Sequence, residues 1–212
     1  PSAADFGGRF LALHTEVARA ALHAPDATLL TLILRSSDET RVYSATHVLL
    51  VASVCMLVAR DGLHWSPEQA ARAGRVALSM NISMTELQDR LAQQSAPLSG
   101  GQIAQIQDHA ERSASMLAAL GVSDPIWLDA VRQHHGRAPG PLAGRSEAAQ
   151  IARLVQRTDI FAARLAPRAP QQCEQHERAR TPQQQRIEAP RHQPACQPGT
   201  SPDSLRWRFA SR

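Results

Sequence analysis

The chain has 212 residues and a mass of 23.0 kDa, enough for one domain with a full core, or for one domain and a tail. Apolar residues make up 43% and aromatics 4%, so the core must be built from Leu, Val, Ile, Ala and Met. The net charge of +4 rests on arginine alone, since the chain has no lysine. With no nucleic-acid-binding signature beside it, this excess reads as the composition of a GC-rich gene rather than a phosphate-binding surface, and nucleic acid is not an expected partner.

The three cysteines, Cys55, Cys173 and Cys196, have no zinc-knuckle or disulfide spacing, so a reducing cytoplasm is the expected compartment. The longest apolar run, HVLLVASVCMLVA, is short for a bilayer, and no membrane span is expected. No signal-peptide pattern opens the chain, which begins PSAADF without Met, as a fragment would.

In chain order, residues 4–165 read as helix after helix without a strand. Amphipathic segments cover 5–22 and 26–36, and a long buried helix runs from about 40 to 60. SPEQ at 66–69 marks the next start, with Ser66 as N-cap, Pro67 at the first helical position and Gln69 closing a capping box. The stretch VALSMNISMTELQDRL, 76–91, reads as one helix with Met80, Met84, Leu87 and Leu91 on its apolar side. SGGQ at 99–102 repeats the capping device, and Ser123 or Asp124 caps a helix with Pro125 in its first turn. The loop GRAPGPLAG (136–144) precedes a last helix over 146–165.

Past Ala166 the composition changes. Residues 167–203 hold Ile187 as their only Leu, Ile, Val, Phe or Met, too little apolar surface to offset the entropy of ordering. Residues 169–212 are expected to be a disordered Pro/Gln/Arg-rich tail, or else out-of-frame translation after a frameshift.

Histidine placement is the chemical signal. His47 precedes Leu50 by three and Val54 by seven, and His109 follows Ile106 by three and precedes Leu117 by eight. His134 and His135 follow Val131 by three and four, while Asp159 follows Val155 by four. Five potential ligands are thus expected to point inward from four helices. A lone core histidine is ordinarily satisfied by a hydrogen bond, but several converging neutral imidazoles need a metal or a partner. Periodicity alone leaves open a real or relict metal site and a coincidence of core histidines.

The order of YSATH, a helix opening at VAL, LS-x-x-Q leading into QDHAERSASML, then VRQHH and QRTDIFAARLAPR, resembles the HD-GYP branch of the HD-domain phosphohydrolases over residues 40–168. The resemblance implies an HD-domain-like, all-α helical bundle, with residues 1–39 as N-terminal helices packing on it. It also implies a metal site, commonly of iron or manganese, and hydrolysis of cyclic di-GMP. His47, His109, His134, His135 and Asp159 match the family's metal ligands.

The departures weigh against that hydrolysis. Where the family carries HDIGK, this chain has MNISM: Met80, Asn81 and Met84 stand for His, Asp and Lys, while Ile82 keeps the register. Gly136 follows the paired histidines where the family has Glu, and GRAPGP replaces its Gly-Tyr-Pro loop. A neutral Asn carbonyl bridges two dications poorly, and a soft thioether does not suit hard metals. A pseudoenzyme is expected: a non-catalytic HD-GYP-like signalling domain for nucleotide sensing or protein interaction, with no catalytic residue. The alternative is a metal-dependent phosphohydrolase, a cyclic-di-GMP phosphodiesterase with a reduced site. A third reading is a metal-free, HD-related output domain with a protein partner. The cofactor is expected to be one divalent metal (Fe, Mn or Zn) on His109, His134 and His135, or none. The partner is expected to be a cyclic dinucleotide or a signalling protein. Arg137 and Arg145, flanking the Gly/Pro loop, are the candidates for meeting phosphate or are solvated loop arginines.

Overall fold

Asp124 caps one helix with its side chain, and Ser66 and Ser99 start two others with complete capping boxes. The helices they delimit belong to a computed structural model that describes residues 3–38, 42–136 and 140–165, all within the unit Pro1–Arg180. The tail over 169–212 and Arg137 lie outside the described residues.

Eight α-helices and no strand occur among the described residues: α1 Ala3–His23, α2 Pro25–Asp38, α3 Tyr43–Leu57, α4 Pro67–Ser79, α5 Thr85–Gln93, α6 Gly100–Ala119, α7 Pro125–Gln133 and α8 Glu147–Leu165. The fold is an all-α helical bundle.

Helix α3 is its centre, packed by α1, α2, α4, α5 and α8. Its sequence is apolar on every side, as suits a helix covered all round. Leu50, Val51, Ala52, Cys55 and Met56 lose nearly all their exposure; Val76 of α4 and Ile151 and Val155 of α8 join them in the core, which Leu117 of α6 and Val131 of α7 extend. A π turn, Val58–Gly62, prolongs α3, so that Tyr43–Gly62 is long and apolar enough to cross a membrane, more than its apolar run alone promised. In the bundle it is the core rod.

The N-terminus of α3 has no cap of its own. Asp89 of α5 supplies one from a distance, accepting from the Ser44 backbone N–H at 2.7 Å and from Ser44 Oγ at 3.0 Å. Arg72 of α4 similarly ties together three helix starts through Glu68, Asp124 and Glu147.

The continuous helix expected over 76–91 is corrected. Helix α4 ends at Ser79, residues 80–84 form a turn, and α5 begins at Thr85. The Asn81 carbonyl accepts from Met84 N–H at 2.9 Å, closing the turn. Ser83 Oγ donates to the His109 carbonyl at 3.1 Å and lies 2.9 Å from Ser113 Oγ. These bonds to α6 reward the break, which local spacing cannot register. Met80 is fully buried and Asn81 nearly so.

Candidate metal centre

Three imidazoles converge where α6 meets the end of α7: His109, His134 and His135. His109 lies on α6, with Nδ1 2.6 Å from the Ile106 carbonyl, and His134 caps α7, with Nδ1 2.6 Å from the Val131 carbonyl. A carbonyl can only accept, so both rings carry their hydrogen on Nδ1 and, when neutral, present a bare lone pair at Nε2. Those two Nε2 atoms face each other at 3.2 Å, and His135 Nε2 lies 3.0 Å from His109 Nε2.

Two opposed lone pairs repel unless a cation lies between them. A proton is disfavoured there. Burial, the nearby His109 and, in opposition, the Val131 carbonyl and Asp159 leave the His134 pKa lowered to about 4. Burial also lowers that of His109, against the Ile106 carbonyl and Asp159. A metal ion fits instead. Imidazole ligands about 2.0–2.1 Å from a tetrahedral ion stand about 3.3 Å apart, near the spacings here. A ligating histidine ordinarily donates its other ring N–H to a carbonyl, as His109 and His134 do.

The second part of the site is a hydrogen-bonded pair. His47 Nε2 of α3 lies 2.7 Å from Asp159 Oδ1 of α8. Burial works against the Asp159 charge, but the His47 hydrogen bond and the fields of His47, His135 and His134 outweigh it and hold the carboxyl well below the usual range. Tyr43 stacks on the His47 ring at 5.3 Å between centroids, with its hydroxyl 3.4 Å from Nδ1. Cys55, also under the Asp159 field, has its thiol pushed up to about 12, chiefly by burial.

The five residues picked from spacing therefore fall into two neighbouring groups, a trio and a pair coupled by the field of Asp159. The expectation that all five are inward is corrected for His135, which is exposed. Successive residues of a helix diverge by about 100°, so when His134 turns fully inward its neighbour reaches the trio from the rim. Spacing also missed Tyr43, although it stands four before His47, on the same face of α3. Arg145 does not stand ready for phosphate: its Nε and Nη2 donate to the Pro141 and Gly140 carbonyls, closing its own loop.

No family model, curated protein or solved structure matches the chain.

Proposed function

We propose that this bundle is a degenerate HD-GYP-like domain, cytoplasmic, that keeps a single divalent ion (iron, manganese or zinc) on His109, His134 and His135 and serves in signalling rather than hydrolysis. The observation that carries the reading is the meeting of the His109 and His134 Nε2 atoms at 3.2 Å with both Nδ1 hydrogens already committed to carbonyls. The placement of MNISM agrees with it, because that turn is bonded through Ser83 to the backbone of His109 itself. At the two positions where the resemblance would put a histidine and a bridging carboxylate stand a core-packed Met80 and a neutral Asn81. Neither can help hold a second hard dication. A cyclic dinucleotide or a signalling protein is the partner class this reading implies.

The test is the metal content of untagged protein, by elemental mass spectrometry without added metal. Near-stoichiometric iron, manganese or zinc, lost in His134→Ala and in His135→Ala, supports the reading. A metal-free protein that still folds cooperatively overturns it and leaves the adaptor with a protein partner.

A second reading, a phosphohydrolase with a reduced site, draws on the exposure of His135, which opens one side of the trio to solvent and substrate. Hydrolysis of a generic phosphodiester by the manganese-loaded protein, abolished in His109→Ala, would favour it.

A further inference from the structure

His14 is a fourth buried histidine among the described residues, beside His47, His109 and His134, and nothing in the proposed function uses it. It sits on α1, 5% exposed, against α3 and α4. Its Nε2 is buried without a hydrogen-bond partner. The ring fits only because position 74 is glycine: a Cβ there would stand 3.1 Å from His14 Nε2 and 2.7 Å from Met56 Sδ. We propose that His14 is a pH-sensitive latch, holding α1 on α3 and α4 while its ring is neutral and releasing α1 when the ring is protonated.

A protonated ring needs an acceptor for each N–H, and Nε2 has none. The surrounding charges offer no compensation. Helix α3 carries no Asp, Glu, Lys or Arg, and Asp26 and Arg35 of α2, which also packs on α1, are not among the groups that act on His14. Of the charged side chains on α4 (Glu68, Arg72 and Arg75), Glu68 and Arg72 are paired with each other, and the charge that acts on His14 is the cation of Arg75. Asp5, Arg9, Glu16 and Arg19 of α1 pair among themselves, Asp5 with Arg9 and Glu16 with Arg19. Burial first, then Arg75, lowers the His14 pKa from 6.5, against a smaller opposing effect of the Ala71 backbone.

The sign follows from linkage. A histidine whose pKa is lowered by docking contributes to docking above its free value, and that contribution is lost as pH falls through and below about 6.5. One proton changes the opening equilibrium by at most about tenfold per pH unit. Release of α1 would uncover Met56 and part Phe10 from Trp127, whose rings lie 5.2 Å apart.

Backbone hydrogen exchange between pH 7 and 5.5, corrected for the intrinsic rate, tests this on the intact chain. The opening constant of α1 should rise by up to about tenfold per unit below pH 6.5 in the native protein, less steeply in Arg75→Gln, and not at all in His14→Met. A rise of the same steepness in His14→Met overturns the proposal. If His14→Met does not fold, the His14 ring can be followed by NMR in the native protein. Loss of α1 protection in step with ring protonation supports the latch; a ring that takes its proton while α1 stays protected overturns it.

Discussion

His47 Nε2 and Asp159 Oδ1 lie 2.7 Å apart, joining α3 to α8 across 112 residues of sequence. The contact does more than link two helices. It keeps a carboxylate ionised beside the three imidazoles, and the field of that carboxylate partly offsets the burial of His109 and His134. The bundle thereby holds an arrangement of lone pairs and charge that packing alone would not favour.

Acid should destabilise the metal-free protein in two stages. His134 has its pKa lowered to about 4 from 6.5, so its contribution is whole above pH 6.5 and is lost as pH falls toward 4. The size is on the order of 3 kcal/mol. Asp159, also lowered, contributes above its ordinary value of 3.8 and loses that contribution below it. Urea unfolding in the presence of chelator, from pH 8 to 3, should therefore show a decline beginning near pH 6.5. In His134→Leu the decline between pH 6.5 and 4 should be shallower, and an unchanged slope would remove His134 from the account.

The Asp89 carboxylate should matter to α3 as a borrowed N-cap. Asp89→Ala leaves the Ser44 N–H and hydroxyl without their acceptor. Loss of a cap and of a negative charge at a helix start costs about 1–2 kcal/mol together. Asp89→Asn should recover part of it, since an amide oxygen still accepts. Chemical denaturation of the two variants checks the order.

Gly74→Ala should destabilise although alanine favours helices. The added methyl would press on Met56 Sδ and Cγ at 2.7 and 2.9 Å, and Met56 is itself 1% exposed, with little room to yield. Overpacking of this kind typically costs about 1–3 kcal/mol. A thermal midpoint equal to or above that of the parent would show that α1 has room to move outward.

These relationships also mark what the sequence could disclose. Ser66 with Gln69, and Ser99 with Gln102, were legible because capping is local: donor and acceptor stand three residues apart. The faces of His47, His109 and His134 were legible because a helix repeats every 3.6 residues. The break at Met80–Met84 was not, since the bonds that favour it run from Ser83 to His109 and Ser113, in another helix. The Asp89 cap was hidden for the same reason, with 45 residues between partners. The exposure of His135 is not legible from periodicity, which assigns a direction to a Cβ, whereas at a helix end a long ring can turn back toward the site from an exposed position.

The difference between the two adjacent histidines gives the most discriminating experiment on the trio. His134 is fully buried and bonded to the Val131 carbonyl, so truncation to Ala leaves both a cavity and an unmet acceptor. The cost should be roughly 2–4 kcal/mol. His135 is exposed, and His135→Ala should change stability by no more than about 0.5 kcal/mol. For metal affinity the two should behave alike, each losing one of three ligands and weakening binding at least about 100-fold. A titration with zinc in a competing chelator, run beside urea unfolding, separates the two properties. A His135→Ala protein that keeps both its stability and its zinc affinity would show that the rim histidine is not a ligand. It would reduce the candidate centre to the facing pair His109 and His134.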